Sequence, residues 1–295
     1  MAQSKYWTDS KGLIFVTRAN GTSFQSSPLN IGVESELYTR FGDDDEKDPA
    51  IEEWFSEAID SPARMMIDYL LDSANVRRRP FRGDPSKEET VKQLGFRVNP
   101  YVDSIRITDE VRNAIASYIA ALLVRNPTYL ARLVNFHREN GTTPNTVRNR
   151  ALDNMLYLHG VYADQIRKSA LMITRRVESA EYLYADGGLI VREPWSNLHD
   201  MPFDIHTPLT PDIAIEVLPV PLAIDMTEAQ IGEATDRGVA RQNRIILGGA
   251  QRFVFSRQTP PIRFISKNFG RPAPKNIGYR IVDGRLDTRY EPSRH

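Results

Sequence analysis

The longest periodic stretch of the sequence is residues 144–173, which have the sequence PNTVRNRALDNMLYLHGVYADQIRKSALMI. Turn-forming residues at 141–144 precede it, and apolar residues then recur at the spacing of one helical face. That face comprises Leu152, Met155, Leu156, His159, Tyr162, Ile166, Ala170 and Ile173. We therefore predict a long helix with a buried stripe, on which His159 is a core histidine rather than a ligand.

Three further helices are predicted on the N-terminal side of this stretch, the last of them a turn and helix over 127–138. Apolar residues between 51 and 70 follow a helical period, and Ser61–Pro62 within them predicts a kink or a restart capped by the serine. A second helix begins at Thr108, a suitable N-cap, and ends at Asn126–Pro127. Residues 76–100 lose this periodicity and predict a long mobile loop, in which the arginines are solvated rather than bound to phosphate.

Strand patterns flank the helical region on both sides. Residues 13–25 contain an apolar run, the turn dipeptide Asn20–Gly21 and an alternating segment, which together predict a β-hairpin. Residues 180–192 predict a second hairpin. Single elements are predicted as a strand at 213–217, a helix starting at Thr227 and a strand at 252–256.

The order of these elements indicates the fold class. A hairpin, then helices, then strands is typical of an α+β fold and lacks the alternation of parallel α/β proteins. We predict an N-terminal β-hairpin, a central helical bundle, and C-terminal strands in a mixed or antiparallel sheet with one further helix. One large domain should span residues 1–257, helical over about 48–176 and strand-rich over 180–257. Residues 258–295 are predicted to form a basic, irregular extension.

Composition excludes several classes of protein. The chain has 295 residues, 41% of them hydrophobic, and no cysteine, which excludes disulfide scaffolds, cysteine-ligated metal sites and thiol nucleophiles. No Gly-rich phosphate loop, metalloprotease motif or nucleophile elbow is present. The N-terminus lacks the features of a secretory signal. The longest apolar stretch, Ala114–Val124, is too short to cross a bilayer. We therefore expect a cytoplasmic protein without membrane contact.

Charge is distributed unevenly along the arginine-rich chain. Residues 1–60 carry 5 basic and 12 acidic side chains, whereas residues 237–295 carry 13 basic and 3 acidic ones. The preferred interpretation is that the two regions neutralise each other within one fold or across a homodimer. Alternatively, the basic C-terminal segment binds a protein partner or nucleic acid, because arginine suits carboxylate and phosphate.

Polar residues near the front of the chain are the first candidates for a site. Glu34, Glu52 and Asp60 could converge, since Glu52 and Asp60 lie eight positions apart and so nearly on one helical face. Such carboxylates can hold Mg²⁺ for phosphoryl chemistry, although surface acids are the simpler interpretation. Arg125 ends the most apolar helix and is predicted to pair with one of these three carboxylates, or to bind an anion if it faces a cavity.

The histidines indicate no metal site. None of the five forms a pair with the i, i+4 spacing of helical ligands. His199 and His206 are predicted to lie in a loop, with Asp200 and Asp204 between them. Zinc requires three or four ligands in a defined geometry, so we predict no bound metal and no cofactor outside the Mg²⁺ alternative.

Several stretches, taken in order, resemble the bacterial family known as domain of unknown function 4238. The segment SSPLNIGVESELY at 26–38 resembles the family's first motif, which contains a glutamate and a tyrosine. Other similar stretches are the acidic helix at 51–63, with Asp60 in place of a second glutamate, the helix end LLVRNP at 122–127, the strand entry TPLTPD at 207–212, and the closing stretches VARQN at 239–243 and RFVFS at 252–256.

The sequence departs from this family pattern at two places. Nothing before Lys11 resembles the family's opening motif of asparagine, histidine and proline. Glu193 occupies the place of an aspartate in a second motif, and it joins the candidate polar cluster of Glu34, Glu52, Asp60 and Arg125. Asn243 and Arg252, which lie in the closing stretches, are the candidate binding residues. The family name implies no activity.

Two functions therefore remain open. The preferred one is a non-catalytic binding or regulatory module, in a setting such as bacterial stress or phage defence, whose polar residues are structural. The alternative is a metal-dependent phosphodiester hydrolase that uses the carboxylate cluster. No motif in the sequence compels catalysis.

Overall fold

The computed structural model describes most of the chain. The described residues are 4–31, 38–42, 46–80, 88–138, 143–187, 190–191, 205–218, 227–271, 280–282 and 285–287. None of the helices in these ranges has the length and apolar content needed to cross a bilayer.

Helices dominate the centre of the chain. Those found in the described ranges are α1 (Ala50–Trp54), α2 (Ser61–Leu71), α3 (Glu88–Gln93), α4 (Asp109–Val124), α5 (Pro127–Arg138), α6 (Pro144–Arg167), α7 (Asp236–Gly248) and α8 (Ile262–Asn268). Thr108 caps α4 as predicted, because its hydroxyl accepts a hydrogen bond from the amide of Val111. Thr143 caps α6 in the same way through the amide of Thr146.

Strands lie at both ends of the chain and between the helices. They are β1 (Ile14–Arg18), β2 (Ser23–Ser26), β3 (Arg40–Phe41), β4 (Lys47–Asp48), β5 (Val76–Pro80), β6 (Tyr101–Arg106), β7 (Ala170–Arg176), β8 (Tyr184–Ala185), β9 (Ile190–Val191), β10 (Ile205–Pro208), β11 (Ile213–Leu218), β12 (Glu228–Ala234), β13 (Phe253–Ser256), β14 (Arg280–Val282) and β15 (Arg285–Asp287).

The larger sheet has seven strands in the order β5-β6-β12-β7-β11-β10-β9. β12 and β7 pair in parallel, and the other neighbours pair antiparallel, so the sheet is mixed as predicted. Helices α1, α2, α4, α5 and α6 supply the main hydrophobic core together with this sheet. Its fully buried members include Ile67, Leu70, Ile115, Ile119, Leu152, Met155, Ile173 and Ile215. This arrangement confirms the α+β class.

The smaller sheet has four antiparallel strands in the order β2-β1-β13-β8. The predicted N-terminal hairpin is confirmed, with Val16 opposite Phe24. On its other side β1 pairs with β13, which places Phe15 opposite Ser256. Strands far apart in the sequence are therefore joined by backbone hydrogen bonds, a contact whose formation carries the entropy cost of closing the long intervening chain.

Two predicted elements differ in the structure. The long helix ends at Arg167, and Ala170 to Arg176 form strand β7 instead of its last turns. The segment after Thr227 is strand β12, and the helix begins only at Asp236. A short apolar run fits a strand and a helix equally well, and its pairing partners decide between them. Residues 170–176 and 228–234 form strands because they pair with each other as β7 and β12.

The loop and second hairpin predictions are also wrong. Residues 76–100 contain β5 and α3, and the arginines of β5 form ion pairs with Asp103 on the adjacent strand β6 and with Glu228 on β12, the strand after it in the sheet. β8 and β9 do not pair with each other, since β8 joins β13 and β9 joins β10. Their partners lie far away in the sequence, where local patterns give no information.

The predicted kink near Pro62 is a π-helical turn. Residues Phe55–Asp60 form this turn between α1 and α2, and the amide of Ser61 bonds to the carbonyl of Ser56, five residues back. Ser61 is the first residue of α2 rather than its cap. Because proline lacks an amide hydrogen and its ring crowds the preceding turn, a wider turn lets the helix continue through it.

The predicted division of the chain at residue 257 stays a prediction. α8 lies beyond it, and α8 packs Ile265 against apolar residues of α7 and the smaller sheet. The paired strands β14 and β15 also lie in the segment 258–295.

Candidate functional site

Arg125 and Asp60 form an ion pair between the end of α4 and the π-helical turn. Arg125 Nη1 lies 3.6 Å from Asp60 Oδ1, and the two side chains are 26% and 13% exposed. The guanidinium also lies over the rings of Phe55 and Tyr38, at 4.6 Å and 5.6 Å from their centroids. The position of this cation at the C-terminus of α4 is favoured by the helix dipole. Asp60 is one of the three carboxylates predicted as partners of Arg125.

Tyr118 lies two turns before Arg125 on α4 and is 2% exposed. Its hydroxyl has no hydrogen-bond partner among the described residues. Burial raises the pKa of this hydroxyl well above its ordinary value, and the charges of Tyr184 and Asp60 act in the same direction. Tyr118 therefore remains a protonated donor at physiological pH.

The remaining predicted carboxylates do not join this pair in the described part of the chain. Glu52 is exposed, and its Oε1 accepts a hydrogen bond from Thr39 Oγ1 at 3.1 Å. Glu34 and Glu193 lie outside the described residues. Across the ranges given above, no three His, Asp or Glu side chains are grouped as a metal site would require. The predicted cluster is thus represented here by Asp60 and Arg125 alone.

Asn243 and Arg252, the predicted binding residues, have different environments. Asn243 is buried in α7, where its Oδ1 accepts from the Leu183 amide at 2.9 Å and its Nδ2 donates to the Glu181 carbonyl at 2.8 Å. Both ends of its amide therefore hold the chain that leads into β8. Arg252 is exposed. Its guanidinium lies 5.8 Å from the centroid of the Phe253 ring, and its Nε lies 3.9 Å from Asp186 Oδ2.

A polar group that the sequence analysis missed is buried between the larger sheet and α7. His206 on β10 lies directly opposite Glu216 on β11, with Nδ1 3.4 Å from Oε1. Gln242 on α7 donates from Nε2 to the same Oε1 at 3.0 Å. The exposures of His206, Glu216 and Gln242 are 0%, 1% and 6%. We name these three residues the buried triad. His206 is therefore in a strand, not in the predicted loop.

A second missed network connects the two sheets. Arg257, which follows β13, donates to Asp212 at 2.9 and 3.0 Å and to Glu181 at 2.5 Å. Arg176 donates from Nε to Asp212 at 2.7 Å. Burial opposes ionisation of Asp212, but the hydrogen bonds from the two arginines outweigh it and lower the pKa of this carboxyl.

Several exposed basic side chains lie on or next to α8. Arg263 and Lys267 are one turn apart and exposed, Arg244 of α7 lies over the Phe264 ring at 5.9 Å, and Arg271 follows the helix. We name Arg244, Arg263, Lys267 and Arg271 the cationic face. None of them forms an ion pair with any residue that the structure describes. The surrounding segment 237–271 contains eight basic residues and no acidic one.

A family model described as a protein of unknown function, DUF4238, matches residues 5–260 of the chain. The chain belongs to the DUF4238 family. No curated protein and no solved structure gave a significant match. The match confirms the resemblance drawn from the short motifs, and it adds no activity.

Several of the family-like stretches contribute to these polar contacts in the DUF4238 chain. The helix end at 122–127 supplies Arg125 and the strand entry at 207–212 supplies Asp212. The stretch at 239–243 supplies Gln242 and Asn243. A lone glutamate within the apolar run IAIEVL at 213–218 was the one sequence signal for the buried triad, because a buried carboxylate requires partners.

Proposed function

We propose that this DUF4238 chain is a non-catalytic binding module that takes an acidic segment of a protein partner on its cationic face. The observation that carries the proposal is the group of four exposed, unpaired cations in a segment without acidic residues. Guanidinium groups suit carboxylates because their planar forks match carboxylate geometry. A regulatory role in bacterial stress or phage defence is part of this proposal.

Two further observations favour a protein partner over a long polyanion such as nucleic acid. Ile262 lies beside Arg263 and is 42% exposed, so an apolar contact is available next to the charges. The chain as a whole is neutral, and Glu52, Glu53 and Glu57 are exposed elsewhere on it. A long polyanion that extended beyond the small cationic face would be repelled by acidic side chains such as these. A short acidic segment would not extend that far.

The internal contacts of the other candidates support the non-catalytic part of the proposal. Asn243, one of the two candidate binding residues, uses both ends of its amide on backbone groups. Buried polar side chains with such partners hold elements together and leave few groups to act on a substrate. The structural role preferred from the sequence is consistent with these contacts.

Charge reversal on α8 tests the binding surface. In Arg263→Glu/Lys267→Glu, we expect at least tenfold weaker binding of a fluorescent polyglutamate peptide, measured by anisotropy at low salt. The matched control is Arg64→Glu/Arg132→Glu, which changes the net charge equally at exposed positions of α2 and α5. Equal loss in both variants, or no binding by the unmodified chain, would contradict the proposal. Preferential binding of a single-stranded or duplex oligonucleotide would replace the protein partner with nucleic acid.

A hydrolysis assay tests the non-catalytic part. The full chain should release no product from labelled DNA or RNA in Mg²⁺ or Mn²⁺. Cation-dependent cleavage that disappears in a folded Glu52→Gln variant would instead establish the hydrolase alternative. Melting curves of both proteins show whether the variant remains folded.

A further inference from the structure

Two hydrogen-bond donors without acceptors lie on the same side of α4. The Tyr118 hydroxyl is buried and has no partner in the described part of the chain, although buried tyrosine hydroxyls are normally bonded. The Arg125 guanidinium donates no hydrogen bond to a described residue, since Asp60 Oδ1 stands at 3.6 Å, beyond hydrogen-bonding distance. Seven positions separate Tyr118 and Arg125, which places them on one helical face.

The surroundings of these donors combine charge with flat apolar walls. The rings of Phe55 and Tyr38 flank the guanidinium, and the Asp60 side chain is 13% exposed. Asp60 and Arg125 lie 3.6 Å apart, and Tyr118 lies about two turns before Arg125 along the same helix. Leaving a buried hydroxyl unbonded is unfavourable, and an acceptor on a bound molecule would remove that cost.

We propose that Arg125, Tyr118 and Asp60 bind a small carboxylate that also carries a hydroxyl or amino group. The ligand's carboxylate accepts hydrogen bonds from the Arg125 fork and the Tyr118 hydroxyl, while its hydroxyl or amino group donates to Asp60. This site is separate from the cationic face and does not depend on the proposed function.

The charge balance favours a carboxylate over a phosphoryl group. Asp60 offsets the charge of the adjacent Arg125, so the pair has no net charge with which to attract a doubly charged phosphate. A planar carboxylate also matches the planar guanidinium and fits between aromatic rings. The hydroxyl or amino group of the ligand donates a hydrogen bond to Asp60. This bond compensates for the repulsion between Asp60 and the ligand's carboxylate.

Thermal melting of the full chain tests this site. Sodium acetate, glycolate, glycine and inorganic phosphate are compared with sodium chloride at equal ionic strength. Glycolate or glycine should raise Tm by at least about 2 °C relative to chloride, and by more than acetate does. No difference from chloride would overturn the proposal, and a larger rise with phosphate would overturn the assignment to a carboxylate.

The variant Tyr118→Phe separates a ligand site from a mere packing defect. It should leave Tm in chloride unchanged or higher, because it removes a buried unbonded hydroxyl, and it should abolish the glycolate-induced rise. Tyr129→Phe is the matched control, since its hydroxyl lies 3.1 Å from that of Tyr162. This control should lower Tm in chloride and keep the glycolate-induced rise. A full rise in Tyr118→Phe would show that the carboxylate binds elsewhere.

Discussion

Arg257 and Asp212 form a two-pronged ion pair in which Nη1 donates to Oδ2 at 3.0 Å and Nη2 donates to Oδ1 at 2.9 Å. Asp212 lies in the turn between β10 and β11 of the larger sheet, whereas Arg257 follows β13 of the smaller one. The pair therefore fastens the two sheets to each other. Glu181 and Arg176 extend the contact into a network of four charges.

The network predicts acid sensitivity. The pKa of Asp212 is lowered in the folded state, so its contribution is present above the unfolded pKa and is lost as the pH falls through the folded pKa. Because the pKa of an aspartate in the unfolded chain is ~3.9, the stabilisation from Asp212 should be lost below about pH 4. Asp212→Asn should lower stability at neutral pH by about 1–3 kcal/mol, toward the lower end because water screens the partly exposed carboxylate.

Urea unfolding of the full chain between neutral and acidic pH measures this effect. The difference between the unmodified chain and Asp212→Asn should shrink as the pH falls. Asp164→Asn is the control, because Asp164 forms exposed ion pairs with Arg167 and Lys168, and such surface pairs contribute little to stability. A constant difference at every pH would show that Asp212 acts through its shape and not its charge.

The buried triad predicts a large effect at Gln242. Replacement of Gln242 by alanine removes the hydrogen bond to Glu216, which is 1% exposed and cannot turn to water instead. The expected loss is about 2–3 kcal/mol in the free energy of unfolding. Gln93→Ala, which removes an exposed hydrogen bond to Glu89 on α3, should cost far less in the same urea titration. Similar losses for both would contradict the role of the triad.

The two hydrogen bonds of Asn243 predict that its aspartate variant is not a mild change. Asn243→Asp keeps an acceptor for the Leu183 amide but loses the donor to the Glu181 carbonyl, and it faces that carbonyl with a buried oxygen. Asn243→Asp should therefore destabilise the chain at least as much as Asn243→Ala at neutral pH, by about 2–3 kcal/mol. Lowering the pH should reduce the difference in stability between Asn243→Asp and the unmodified chain, because protonation of the new carboxylate restores a hydrogen-bond donor. Chemical denaturation at two pH values checks both statements.

Close backbone contact predicts intolerance at two glycines. Gly95 has a φ of +87° and its missing Cβ would collide with the backbone of Gly238, at the start of α7. Gly95→Ala and Gly238→Ala should each lower stability by about 1–3 kcal/mol, because neither backbone can move away. Gly160→Ala is the matched control, with open space at its Cβ position in α6. This control should raise stability by up to about 1 kcal/mol, and a loss there would undermine the comparison.

Much of the local structure was predictable because its causes are local. The apolar stripe from Leu152 to Ile166, the Thr108 cap and the Asn20–Gly21 turn depend on residues within a few positions of one another. The α+β class followed from the order of such elements. Membership in the DUF4238 family likewise followed from short motifs in the correct order.

The identity of the polar contacts was less predictable. Arg125 was expected to find a carboxylate because a buried arginine needs one, but three partners were equally suitable in the sequence. The buried triad went unrecognised, since His206 and Glu216 become neighbours only through the register of β10 and β11. Register depends on which strands pair, and pairing between distant segments leaves little local pattern.

Local sequence patterns were sufficient to show where α4 and α6 begin, which stripe of α6 is buried and that the chain is α+β, because turn chemistry and apolar periodicity act over short distances. Only the tertiary structure decided that Ala170–Arg176 is a strand, that β1 pairs with β13 and that Arg257 meets Asp212. Each of these contacts joins segments that are far apart in the sequence. It becomes favourable only when the surrounding tertiary structure brings both segments together.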